Sequence, residues 1–172
     1  PLEFRRVLLA EHPRMLRVLD AVAAIGKWRK RRLPEGRGQG MAIVDAYGSI
    51  FAYVIDVTVR EQQVTIDHVA CVIDCGYAVN PDGVKAQVES NVVFALTAAF
   101  YGRISLAGGA VEQSNFHDYR MASLAQTPPL SIEILNSDGP LGGAGEPGTP
   151  PFAPALLNAI FAATGERRRT LP

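Results

Sequence analysis

The 172-residue chain lacks the features that mark several classes of protein. Lys and Arg number 17 and Asp and Glu also 17, so the formal net charge is zero, which excludes attachment to nucleic acid or membrane by overall charge. No apolar run reaches the roughly 18 residues of a membrane-spanning helix, and residues 1–14 lack the apolar stretch of a signal peptide. We therefore expect no membrane span and no nucleic-acid partner, and the compartment stays open.

An initiator methionine is also missing, because the chain opens on Pro1. We expect either that an upstream part was removed or that the chain is one piece of a longer polypeptide. A length of 172 residues would otherwise suit one domain that buries about 70% of the surface of its unfolded chain.

Cysteine is scarce, with only Cys71 and Cys75. Both lie in or just after a run of β-branched residues that predicts a strand. Four strand steps of about 3.3 Å place their Cα atoms about 13 Å apart, beyond the roughly 4.4–6.8 Å of a disulfide. We expect two free, buried thiols, with no zinc site and no ligands for an iron–sulfur cluster.

Hydrophobic periodicity predicts an α+β fold in which helices pack on an antiparallel or mixed sheet. Helices are predicted at 2–10, 14–26, 80–101 and 152–163. Strands are predicted at 41–46, 50–60, 64–74, 103–106, 110–113 and 130–135. We interpret residues 1–33 as an N-terminal helical hairpin segment and residues 34–172 as the main domain.

Three motifs suggest chemistry but favour structural interpretations. The basic run 27–32 holds five cationic residues, and a solvated or subunit-contacting segment is favoured over a nucleic-acid patch. Gly36-x-Gly38-x-Gly40 precedes a strand instead of following one, so it is interpreted as a flexible entry into the sheet and not as a phosphate loop. The adjacent pair His117-Asp118 is more typical of a structural contact than of catalysis.

The segment 142–151 is more informative. Gly142, Gly143 and Gly145 carry no side chains, so a bulky ligand can approach the backbone and its N–H groups. Glu146 follows as a lone carboxylate, and the prolines after it stiffen the chain before a helix. This arrangement suits a general base that is held by a rigid backbone, although composition alone favours a structural turn.

Four ordered motifs resemble the large, molybdopterin-binding subunit of molybdenum hydroxylases, the xanthine dehydrogenase and aldehyde oxidase family. These are Asp74–Pro81, Ala86–Glu89, Val111–Tyr119 and Gly145–Pro151, the last with Asn158-Ala159-Ile160 and Ala163-Thr164-Gly165 behind it. Within that family, the chain resembles the isoquinoline 1-oxidoreductase β-subunit and related aldehyde dehydrogenases. The resemblance covers nearly the whole chain and identifies it as the C-terminal portion of such a large subunit.

The resemblance implies roles for particular residues. Glu146 would be the catalytic base that takes a proton from a molybdenum-bound hydroxyl, so that water supplies the oxygen. Gln87 would contact the pterin, and the backbone of Gly143, Ala144 and Gly145 would approach the cofactor. The substrate would be an aldehyde or an N-heterocycle.

The resemblance also implies partners. The cofactor, molybdenum–molybdopterin either as the simple pterin or as its cytosine dinucleotide, would be shared with the remainder of the large subunit. Electrons would leave through an iron–sulfur subunit. The alternative is a catalytically inactive fragment that serves as a scaffold or interface.

The chain departs from the family pattern at two places. One is Ser90-Asn91, where the family commonly has two glycines, so that these side chains either crowd the cofactor or alter helix packing. Another is Ala144, where the family usually has Val.

Overall fold

A computed structural model describes residues 1–28 and 33–172. Its helices are α1 (Leu2–Leu8), α2 (Pro13–Ile25), α3 (Pro81–Tyr101) and α4 (Thr149–Thr164), with a 3₁₀ turn at Leu124–Gln126. Its strands are β1 (Arg37–Ala46), β2 (Ser49–Arg60), β3 (Gln63–Asp74), β4 (Leu106–Ala107), β5 (Ala110–Val111) and β6 (Leu130–Ile134). The α+β prediction is confirmed, although the hairpin strands β4 and β5 are shorter than expected.

The main sheet has the strand order β1-β2-β3-β6. Strands β1 to β3 form the predicted antiparallel meander, because connections this short can only reverse the chain. Strand β6 pairs parallel with β3, after a crossover that contains α3, so the sheet is mixed.

Helices cover both faces of this sheet. Because side chains alternate along a strand, Phe51, Tyr53 and Ile55 of β2 face α3 and α4, while Ala52 and Val54 face α2. All five are at most 1% exposed. The predicted apolar stripe of α3 is buried on the first face, which places α3 and α4 side by side on the sheet.

Gly38 and Gly40 correct one prediction. They belong to β1 and are not a flexible entry to it, because α4 packs directly on their backbone. A Cβ at Gly38 would lie 2.1 Å from the carbonyl oxygen of Ala159, and one at Gly40 would lie 2.1 Å from that of Ala155. The glycines are thus required by packing, and the strand begins four residues before the predicted Met41.

The N-terminal helices α1 and α2 are joined by an ion pair. Arg6 of α1 donates to Asp20 of α2 at 2.8 Å, and α2 buries its apolar stripe on the sheet. The division between 1–33 and 34–172 stays a prediction, and residues 29–32 of the basic run lie outside the described residues. Within residues 1–28 and 33–172, no helix has the length and apolarity to cross a membrane.

Candidate functional site

Three loops meet at one end of the sheet. They are the β1–β2 turn at Tyr47-Gly48, the loop 75–80 after β3, and the segment 136–148 between β6 and α4. Gly142 donates its N–H to the carbonyl oxygen of Cys75 at 3.0 Å, and Gly143 donates to that of Tyr47 at 2.9 Å. Ser49, at the start of β2, donates its hydroxyl to the carbonyl oxygen of Gly143 at 2.6 Å. The glycine-rich segment, residues 142–146, is therefore hydrogen-bonded to both neighbouring loops.

An ion pair between a part-buried arginine and a fully buried aspartate lies beneath these loops. Arg14 of α2 donates from Nη2 to Asp74 Oδ1 at 2.9 Å and to the Asp74 carbonyl at 3.0 Å, and Asp74 is fully buried at the end of β3. Burial by itself would raise the pKa of Asp74, but hydrogen bonds from Arg14 and Ser137 outweigh it and hold that pKa below its ordinary value. The pair with Asp74 in turn raises the pKa of Arg14. Both groups thus stay charged and fix the loop that starts at Cys75.

Further hydrogen bonds join the loop after β3 to the segment after β6. Asn136 accepts from the N–H of Ala78 at 3.1 Å, and the N–H of Ser137 donates to the Gly76 carbonyl at 3.1 Å. Gly76 has φ +80°, and a Cβ there would lie 2.7 Å from the carbonyl oxygen of Pro140, so no larger residue fits. The approach of the two segments is set by backbone contacts.

Helix α3 brings Gln87 to the same place. Asn80 begins the helix as predicted, since its side chain accepts from the N–H of Gly83 at 3.0 Å. Gln87 lies exposed two turns later, with its Oε1 4.0 Å from the position that a Cβ on Gly145 would occupy. Glu146 follows Gly145 and is also exposed. The structure thus brings Gln87 to the glycine-rich segment despite a separation of nearly 60 residues.

The backbone donors of this segment differ from the prediction in part. The N–H groups of Gly142 and Gly143 bond internally and are not free for a ligand. The next three, of Ala144, Gly145 and Glu146, form no hydrogen bond within the described part of the chain. Ala144 alone of these three lines an open depression of about 390 Å³, together with Tyr77, Val79, Val84, Gln87 and Leu141. The lining of the depression combines the Gln87 amide and the Ala144 backbone with mostly apolar side chains.

The side chain of Asn91 packs inside the protein and does not extend toward the depression. Its side chain is 2% exposed and lies beneath Gly148, where a Cβ would come within 2.9 Å of it. Thr149 donates its hydroxyl to Asn91 Oδ1 at 2.8 Å. The Asn91 side chain therefore belongs to the packing between α3 and the start of α4.

The His117-Asp118 pair makes structural contacts. Asp118 accepts from the N–H groups of Ser114 and Asn115, and these bonds lower its pKa. Within residues 1–28 and 33–172, no three His, Cys, Asp or Glu side chains gather as a metal site. Cys71 and Cys75 are buried and form no disulfide.

Sequence reasoning missed Arg14 and Asp74 as supports of the site. Asp74 carried a signal, since it ends an apolar strand and opens the first motif of the resemblance. Arg14 carried none, because it is one of 17 cationic residues and lies 60 positions from its partner.

Comparison with known proteins assigns this arrangement to a class. The chain belongs to the family of molybdopterin cofactor-binding domains, whose family model matches residues 13–128. More specifically, two of its relatives are named as subunits of an oxidoreductase and of a dehydrogenase. The chain is 32% identical to the β-subunit of isoquinoline 1-oxidoreductase from Brevundimonas diminuta, over all of this chain and 22% of that protein. It is 31% identical to a subunit of nicotinate dehydrogenase from Pseudomonas putida, over all of this chain and 16% of that protein.

Solved structures agree on the fold. The aldehyde oxidoreductase of Desulfovibrio desulfuricans superposes with a TM-score of 0.60 at 25% identity, covering 72% of this chain and 14% of that one. Quinoline 2-oxidoreductase of Pseudomonas putida 86 gives a TM-score of 0.61 at 18% identity, covering 68% and 16%. This chain therefore spans less than a quarter of the length of these relatives.

Proposed function

We propose that this chain is the C-terminal portion of a molybdenum hydroxylase large subunit, in which Glu146 acts as general base beside a molybdenum–molybdopterin cofactor. The observation that carries the proposal is the meeting of Gln87 with the segment that bears Gly143 to Glu146. Gln87 and this segment lie far apart in the sequence, so only the fold brings them together. The family membership provides the class of cofactor.

The residues present fit such a cofactor. Molybdopterin carries a phosphate, and anionic groups bind to backbone N–H groups that have no internal partner. The N–H groups of Ala144, Gly145 and Glu146 are donors of this kind, and Gln87 adds a side-chain amide beside them. Gly145 contributes no side chain, so a ligand can reach the backbone. When bound, the metal supplies Lewis-acid polarisation and accepts the electrons of the oxidation.

Glu146 is mounted for proton transfer. Its carboxylate is exposed, whereas Pro147 and Gly148 directly after it are buried. Its carbonyl oxygen accepts from the N–H of Thr149 at 3.0 Å, in the turn that leads into α4. A base held in this way accepts a proton from a water-derived nucleophile without the cost of ordering a mobile loop.

The overall reaction that we propose is hydroxylation of a carbon with water as oxygen source, which releases two protons and two electrons. The named activities of the relatives reported above, on isoquinoline, nicotinate and aldehydes, favour an aldehyde or an N-heterocycle as substrate. Two of these relatives are named as subunits, which supports assembly with other chains. We propose that the remainder of the large subunit encloses the cofactor, as the simple pterin or the cytosine dinucleotide, and that an iron–sulfur subunit takes the electrons.

Replacing the base in the complete enzyme tests this function. Glu146→Gln keeps the size of the side chain but cannot accept the proton. Turnover should fall by about 10² to 10⁴-fold, while the molybdenum content of the purified enzyme stays unchanged. The matched control is Glu61→Gln, an exposed glutamate in the β2–β3 turn at the opposite end of the sheet, which should leave turnover unaltered.

The alternative, in which the chain is an inactive scaffold or interface, predicts a different result. The complete enzyme with Glu146→Gln would then turn over substrate at the normal rate and retain its full molybdenum content. That outcome would contradict the assignment of Glu146 as the base.

A further inference from the structure

Helix α3 approaches the chain on both sides of Glu146. Gln87 and Asn91 are four residues apart, so they lie on the same face of the helix. Gln87 lies next to Gly145, just before the glutamate, and Asn91 lies beneath Gly148, just after it. One helix face therefore brackets the residue proposed as base.

The contact after Glu146 is the tighter of the two. Asn91 is 2% exposed, and a Cβ on Gly148 would come within 2.9 Å of its side chain. Thr149 donates its hydroxyl to Asn91 Oδ1 at 2.8 Å. Either orientation of the amide preserves this bond, because a hydroxyl both donates and accepts.

The same threonine closes the turn that carries Glu146. Its N–H donates to the Glu146 carbonyl oxygen at 3.0 Å, while its side chain is held by Asn91. Thr149 thus links the backbone of the base to a rigid helix of 21 residues. Because α3 also carries Gln87, the same helix holds both the proposed base and the amide that we propose to contact the cofactor.

We propose that Asn91 and Thr149 form a brace that positions Glu146 relative to Gln87. The catalytic part of this inference rests on the proposed function, whereas the bracing part does not. Both are positioning residues, since neither reaches the depression itself. A base displaced by about 1 Å from a productive geometry loses up to about 10²-fold in rate, which sets the scale of the effect.

Thr149→Val in the complete enzyme tests the brace, because valine matches threonine in shape and removes only the hydroxyl. We expect kcat to fall about tenfold, with KM and molybdenum content unchanged. Amide hydrogen exchange in a peptide covering residues 144–152 should become faster. Thr149→Ser, which keeps the hydroxyl, should restore both kcat and protection.

Thr164→Val is the matched control. Thr164 lies near the other end of α4, where its hydroxyl donates to the Ile160 carbonyl oxygen at 2.9 Å. The same chemical change on the same helix should alter neither kcat nor exchange in residues 144–152. This separates the brace from a general effect of losing a helix hydroxyl.

Three outcomes would overturn the proposal. They are normal kcat and exchange in Thr149→Val, a lower kcat with unchanged exchange, and loss of molybdenum or of fold in Thr149→Val and Thr149→Ser alike. Normal turnover of Glu146→Gln would overturn the positioning role of the brace together with the proposed function. The exchange comparison would still decide whether Asn91 and Thr149 hold the turn.

Discussion

Removing the positive charge of Arg14 should destabilise the chain because Asp74 would remain buried. Arg14→Met keeps most of the length of the side chain but takes away its hydrogen bonds to Asp74 Oδ1, to the Asp74 carbonyl and, at 3.2 Å, to the Gly48 carbonyl. Breaking a buried ion pair from one side typically costs about 3–5 kcal/mol. Ser137 still donates to Asp74 at 2.7 Å, and Arg17 lies 3.7 Å from Asp74 Oδ2, so we expect about 3 kcal/mol, near the lower end of the range.

The effect should depend on pH in a defined direction. The pKa of Asp74 in the folded chain lies below its ordinary value, so the ionised carboxylate stabilises the fold above the unfolded pKa of about 3.9. This stabilisation is lost as the pH falls through the folded pKa. Without Arg14, Asp74 loses a hydrogen bond and a nearby positive charge that both lower its pKa, so its pKa rises relative to that in the original chain. The difference in unfolding free energy between the two proteins should therefore shrink between pH 7 and pH 3.

Urea unfolding followed by circular dichroism measures both quantities. The matched control is Arg6→Met, because Arg6 also contacts two carboxylates, Glu3 and Asp20, but at the surface. This control should cost much less than Arg14→Met, because solvent screens ion pairs at the surface. A loss below about 1 kcal/mol for Arg14→Met at pH 7, or a loss of equal size at pH 3, would refute the reasoning.

Three further predictions concern the core. Gly40→Ala should destabilise the chain by about 3 kcal/mol or more, because the new Cβ meets the backbone of α4 at Ala155; an unfolding midpoint close to that of the original chain would contradict this. Tyr53→Phe should stabilise by about 1 kcal/mol in the same assay, since the Tyr53 hydroxyl is buried without a hydrogen-bond partner in the described residues, and a loss of stability would show that it has one. Burial raises the pKa of Cys71 to about 12, so its thiolate fraction at pH 8 is about 10⁻⁴. Alkylation of Cys71 should therefore require unfolding, and rapid labelling of the native chain would contradict its burial.

Most of the fold followed from local patterns. The β-branched runs of β2 and β3 and the apolar stripe of α3 are strong periodic signals, and the short turns between the first three strands allow only an antiparallel meander. The start of β1 was not predictable in the same way. Glycine has a low strand propensity, so Gly38 and Gly40 give no strand signal. Only the packing of α4 on their backbone explains why these strand positions carry no side chain.

The site was predictable to the extent that its residues lie in motifs. Gln87, Gly145 and Glu146 were singled out from sequence, but their proximity depends on how α3 and the segment before α4 pack. The use of the Gly142 and Gly143 N–H groups within the fold was not foreseeable, because their acceptors, the carbonyls of Cys75 and Tyr47, lie far along the chain. Long-range backbone contacts of this kind leave no periodic signal in a single sequence.

The central claim is that this chain borders a molybdenum centre with Glu146 facing it. Anomalous diffraction at the molybdenum absorption edge, from crystals of the complete enzyme, locates the metal without reference to activity. We expect a molybdenum peak at the depression bordered by Gln87 and Ala144, with Glu146 as the nearest carboxylate of this chain. A peak elsewhere, with Glu146 turned away from it, would contradict the account.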